Sequence, residues 1–115
     1  MDNSKSLSPI KNPLNSFFIQ LKFKDVDIKF KQLIKLAANL PRTNVFKSEE
    51  NYWKAVCHSL IFRFPDDLEI LMLRNKNKLL KNGFIQIKSA SRFGQSDLGV
   101  NRRRVELLIR QLKNI

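Results

Sequence analysis

Three consecutive arginines, Arg102, Arg103 and Arg104, stand at the start of the last amphipathic stretch of the chain. A guanidinium presents a planar fork of donors that suits phosphate oxygens and guanine edges, so anion capture is the chemistry these residues offer. Elsewhere cations and rings interleave, as Lys22-Phe23-Lys24, Lys29-Phe30-Lys31, Phe62-Arg63-Phe64 and Arg92-Phe93. Exposed rings between cations stack unpaired bases while the cations hold phosphates. On an amphipathic element the same order sends Phe inward and Lys outward, and core packing is the expected fate of most of these rings. Cys57 and His58 are adjacent, and each is the one residue of its type. Neighbours on a helix point about 100° apart, so this pair is not expected to act as nucleophile and base. A Cys/His zinc site within one chain is excluded, as is an intrachain disulfide. There is no phosphate-cradling P-loop and no dinucleotide-binding glycine pattern.

The charge balance points the same way as the arginines. The 115 residues carry 22 Lys+Arg against 10 Asp+Glu, a net charge of +12. A field of that sign attracts polyanions before any specific contact forms. It is uneven: residues 1–47 hold nine basic side chains against Asp2, Asp25 and Asp27, and residues 83–115 hold seven against Asp97 and Glu106. Residues 48–82 are nearly balanced, with six basic and five acidic. If the two basic ends converge in the fold, they make one binding face. No apolar run approaches the roughly 20 residues needed to span a bilayer. The first residues lack the basic-then-apolar order of a secretory signal. An intracellular location, cytoplasmic or nucleoid/nuclear, is the expectation.

The elements that must position these groups are read from periodicity. Residues 1–13 are polar, with Pro9 and Pro13, and read as a flexible tail before one globular domain over 14–115. Residues 17–24 fit either a strand or a helix. Val26, Phe30, Leu33, Ala37 and Leu40 follow a helical four-three spacing that Pro41 stops. Ser48-Glu49-Glu50 reads as a helix start, with Tyr52, Trp53, Val56, Leu60 and Ile61 as the apolar face behind it. Residues 66–82 again fit helix or strand. Residues 84–88 follow Asn82-Gly83 and suit a short strand or hairpin. Residues 100–115 read as a helix capped by Asn101, with Val105, Leu108, Ile109 and Leu112 on one face. The fold expected from this reading is mainly α, a small domain of three or four helices. Its core draws on Phe30, Leu33, Trp53, Val56, Leu60, Ile61, Leu71, Val105, Leu108 and Leu112.

Residues 93–112 resemble the second half of a helix-turn-helix, as found in small DNA-binding regulators. Gly99 stands where such motifs turn sharply, Val100 where an apolar plug follows, and Asn101 where the second helix is capped. Leu98 fits the last core position of the first helix, while Gly94 and Gln95 depart from the pattern. The resemblance implies that Asn101, Arg102, Arg103, Arg104 and Arg110 face nucleic acid, DNA in preference to RNA. Lys22, Lys24, Lys29 and Lys31 assist if they lie on the same side.

A second stretch looks like a variant of the restriction-endonuclease-like nuclease pattern. Pro65-Asp66 lies upstream of Gln86-Ile87-Lys88. That resemblance implies Asp66 or Asp67 as a metal carboxylate, Gln86 as a metal-side ligand, Lys88 as the lysine aligning water, Glu49 or Glu50 as completing the site, and Mg²⁺ as cofactor. On the primary reading the protein is a non-catalytic nucleic-acid binder with no cofactor and a regulatory role, and the small nuclease is the alternative. A basic adaptor for an acidic protein partner is a third reading. A basic helix over residues 22–35 could lie on an anionic bilayer, but packing on the Trp53 segment satisfies the same apolar stripe, so no membrane partner is expected. The sequence leaves the oligomeric state open.

Overall fold

The computed structural model describes residues 6–61, 63–94 and 96–115. In chain order the elements are β1 (Ser16–Phe23), α1 (Val26–Ala38), β2 (Thr43–Ser48), β3 (Tyr52–His58), β4 (Pro65–Arg74), β5 (Gly83–Ser91) and α2 (Val100–Lys113). The strands form one sheet in the order β1-β5-β4-β3-β2, with every neighbouring pair antiparallel. The mainly α expectation is therefore wrong: the molecule is a five-stranded antiparallel sheet carrying two helices.

Strand alternation explains the layering. Phe17, Ile19, Leu21 and Phe23 of β1 pack on the core, as do Trp53, Ala55 and Cys57 of β3, Leu68, Ile70 and Met72 of β4, and Ile85 and Ile87 of β5. Both helices bury their stripes on that face: Val26, Phe30, Leu33 and Ala37 from α1, and Val105, Leu108 and Leu112 from α2. The residues between them in each strand point to the opposite, open face. β1 and β2 are the two edges of the sheet, so α1 must carry the chain from one edge to the other. Its 13 residues span about 20 Å, close to the roughly 19 Å across five strands.

The helix expected from Ser48 is instead a turn and a strand. Glu49 N–H donates to the Tyr52 carbonyl at 2.7 Å, closing a tight β2–β3 connection. The supposed helical face then splits by strand parity, with Trp53 toward the helices and Tyr52 and Val56 away from them. Leu60 and Ile61, expected in the core, lie exposed in the β3–β4 loop. The two ambiguous segments resolve as strands, residues 17–24 as most of β1 and the start of 66–82 as β4. The expectations for α1, β5 and α2 match the structure.

Residues 1–5 of the expected tail lie outside the described residues. Residues 6–8 lie against the open face. Gln86 accepts the Leu7 N–H at 2.9 Å and donates to Ser6 Oγ at 3.0 Å, while Lys88 Nζ donates to the Ser8 carbonyl at 2.9 Å.

Candidate nucleic-acid interface

The cations singled out in the sequence fall into three places. Lys29 and Lys31 stand on the outer side of α1, and Arg102, Arg103 and Arg110 on the outer side of α2. The two helices pack against each other, so these residues lie on adjoining elements of the helical layer. Lys22 points to the open face of the sheet opposite Phe84, and Lys24 follows the end of β1. Asn101 and Arg104 point inward and are unavailable to a ligand.

The inward pair belongs to a buried polar network beneath the first turn of α2. Arg104 Nη1 lies 2.9 Å from Asp66 Oδ2, with side chains only 11% and 4% exposed. The same nitrogen donates to Asn101 Oδ1 at 2.8 Å and Ser89 Oγ at 3.0 Å, and Ser89 Oγ also bonds Asn101 Oδ1. Asn101 Nδ2 donates to Asp97, to Ser91 Oγ and to the Asn15 carbonyl. Buried charges persist only when paired and bonded in this way. Asn101 is therefore not the cap of α2. That position is Gly99, at φ 82°, a left-handed conformation that glycine adopts without strain. The Asp97 carboxylate takes the Gly99 N–H at 2.8 Å and the Asn101 N–H at 3.0 Å. Burial pushes the Asp97 carboxyl up, but these donors outweigh it and hold the group below the ordinary range.

Residues 92–99 contain no helix among those described, so α2 has no helical partner of the helix-turn-helix kind immediately before it. Gln95 of that motif lies outside the described residues, as does Phe62 of the interleaved Phe-Arg-Phe run.

The residues of the nuclease pattern are split between the two faces of the sheet. Asp66 faces the helices and is held by Arg104, while Asp67, paired with Arg92, shares the other face with Gln86 and Lys88. In register Asp66 pairs with Ser91 and Gln86 with Leu71, so the sheet itself separates them. Among the described residues no group of three or more His, Cys, Asp or Glu is placed to hold a metal ion. Cys57 and His58 occupy consecutive strand positions and point to opposite faces. Burial pushes the Cys57 thiol up, partly offset by a hydrogen bond from Thr43 Oγ1 at 3.3 Å and by the nearby Arg104 charge.

On the helix surface, acids do little to cancel the cations. Asp27 is bound to Arg74, and Glu106 pairs with Arg102 Nε at 3.6 Å. Arg102 also lies 5.3 Å from the Phe17 ring centroid, a cation–π contact that fixes its stem. Lys29, Lys31, Lys35, Arg103, Arg110 and Lys113 have no acidic partner among the described residues. Lys35 and Lys113 were missed in the sequence, although Lys35 lies one turn after Lys31 and the spacing alone places it on the same side. The surface they form can hold successive phosphates electrostatically. It presents no exposed ring, since Phe30 is buried and no other aromatic stands on either helix.

No curated protein matches the chain. Residues 5–112 match a family described as protein of unknown function (DUF1499), and the chain belongs to that family.

Proposed function

We propose that the protein binds nucleic acid without cleaving it, through the phosphate backbone and the outer surface of α1 and α2. The observation that carries this reading is the set of cations without acidic partners, Lys29, Lys31, Lys35, Arg103, Arg110 and Lys113, on two adjoining helices. Long-range attraction from the net charge of +12 would speed encounter. Two features favour duplex over single strands and weak sequence preference. The surface has no exposed ring on which to stack unpaired bases. Of the arginine cluster only Arg102 and Arg103 face outward, and Arg102 is engaged by Glu106 and Phe17.

Binding to labelled duplex DNA and single-stranded RNA across a salt series tests this. The wild type should prefer duplex and show a steep salt slope. The combined Lys31→Glu, Lys35→Glu and Arg110→Glu variant should bind at least about tenfold more weakly, with a slope lower by about three ions. Affinity and slope unchanged in that variant would remove the helix layer from the interface.

A further inference from the structure

The end of the sheet where α2 begins carries a second surface, which shares Arg103 with the nucleic-acid reading and is otherwise separate from it. Ser59 closes the β3–β4 loop: its N–H donates to the Phe64 carbonyl at 3.1 Å and its Oγ accepts the Phe64 N–H at 3.0 Å. Leu60 and Ile61, which follow Ser59, are 69% and 79% exposed. The chain after β5 is tied alongside, because Arg92 N–H donates to the Pro65 carbonyl at 3.2 Å. Phe93 follows at 62% exposed. Asn15 Nδ2 holds the Gly94 carbonyl at 2.7 Å, and Asp97 N–H donates to the Leu14 carbonyl at 3.1 Å. Leu98, 84% exposed, completes the rim. Isolated exposed apolar residues are ordinary, but several on neighbouring loop tips form a patch that asks for a partner.

Arginines surround these tips. Arg63 lies in the loop itself. Arg42 sits just behind it, its Nε donating to the His58 carbonyl at 3.0 Å. Arg103 reaches back to the Leu98 carbonyl at 2.9 Å. Neither carbonyl cancels a charge. Arg92 is neutralised by Asp67, at 2.8 Å. Asp97, which precedes Leu98, has its oxygens occupied by Gly99 and Asn101.

We propose that this end docks on an anionic lipid bilayer, with Leu60, Ile61, Phe93 and Leu98 entering the acyl boundary and Arg42, Arg63 and Arg103 holding lipid phosphates. Separate protruding tips need no matching groove in a bilayer, whereas a protein partner would have to supply one. The pattern of apolar tips ahead of cations matches the order of layers met on entering an anionic membrane.

Co-sedimentation with phosphatidylcholine vesicles containing about 30% phosphatidylserine tests the proposal. The protein should sediment with them and bind pure phosphatidylcholine vesicles at least about tenfold more weakly. Ile61→Asp with Phe93→Asp should weaken binding to the anionic vesicles by about tenfold or more, and Leu98→Ser, in a different loop, should weaken it by a smaller factor. Lys31→Glu, on the helix surface, should change it less than about twofold, provided salt is near physiological. Urea midpoints confirm that each variant remains folded. Absence of binding to anionic vesicles overturns the proposal. So does binding that Ile61→Asp with Phe93→Asp leaves intact. A dimer that the same substitutions dissociate, without vesicle binding, assigns the patch to a second copy and also overturns it.

Discussion

Where α2 begins, Arg104 meets Asp66 at 2.9 Å with both side chains nearly out of water, 11% and 4% exposed. At the opposite end of the sheet, Arg74 meets Asp27 at 2.7 Å with side chains 33% and 44% exposed, and shares itself with Glu50 at 3.2 Å. The chemistry is the same pairing of guanidinium and carboxylate. The surroundings differ. The first pair is woven into Ser89, Asn101, Asp97 and Asn15, so that the last helix, the last strand and the residue before β1 share one polar core. The second lies beside the solvent-facing β4–β5 loop, where Lys76, Lys78 and Lys81 carry no ion pair among the described residues. One end fixes the position of α2 and of the arginines that remain outside. The other contributes charge and little constraint.

The sharpest way to break this comparison is to remove one member of the ion pair at each end. Asp66→Ala leaves Arg104 buried without its partner, and should lower unfolding free energy by about 3–5 kcal/mol. A loss of that size, read from urea unfolding, is a large fraction of the stability of a small domain. A loss below about 1 kcal/mol would mean that water reaches Arg104, and that the two ends are energetically alike.

The middle case is Asp97, which joins the buried network to solvent. Asp97→Ala removes the acceptor for the Gly99 and Asn101 N–H groups at the start of α2. A loss of about 1–2 kcal/mol is expected, the range for a helix cap. Its pH dependence has a definite sign. The folded-state pKa lies below the ordinary carboxylate value, so the stabilisation is present above pH about 4 and is lost as pH falls through the folded pKa. The gap between wild type and Asp97→Ala should therefore narrow on acidification. A gap constant down to pH about 2 would show that the contribution does not depend on the ionised form.

The contrast between the ends also explains what the sequence could and could not disclose. The helices α1 and α2 were legible because their apolar residues recur at three and four, with Pro41 stopping the first, although the cap read for the second, Asn101, was misplaced. Strand β5 was legible because Ile85 and Ile87 alternate with Phe84, Gln86 and Lys88 after a turn dipeptide. Strand β3 was not, because both of its faces carry apolar residues. Trp53 and Cys57 pack on the helices while Tyr52 and Val56 face away, and a run apolar on both sides can be fitted to a helix equally well. Antiparallel pairing with β4 decides it, and that pairing is a long-range fact. Sequence reading found Arg102 and Arg103 as surface cations but placed Arg104 and Asn101 with them. The partners that draw these two inward, Asp66, Ser89 and Asn15, are 38, 15 and 86 positions away from Arg104 or Asn101 in the chain. Nothing local marks them.

The smallest expected effect lies at the wet end. Arg74→Ala breaks two hydrogen bonds to Asp27 and the contact with Glu50. Both carboxylates remain hydrated once released, so little desolvation cost is stranded, and ordering the long side chain already offsets part of the attraction. The unfolding free energy read from urea titration should fall by less than about 1 kcal/mol, and by less again in high salt. The salt test separates two explanations of a small effect. If the pair contributes electrostatically, raising salt should shrink the difference between wild type and Arg74→Ala. If the arginine acts mainly through the packing of its stem, the difference should persist at every salt concentration. A loss as large as that of Asp66→Ala would show that Arg74 anchors α1 as firmly as Arg104 anchors α2, and the distinction between the two ends would fall.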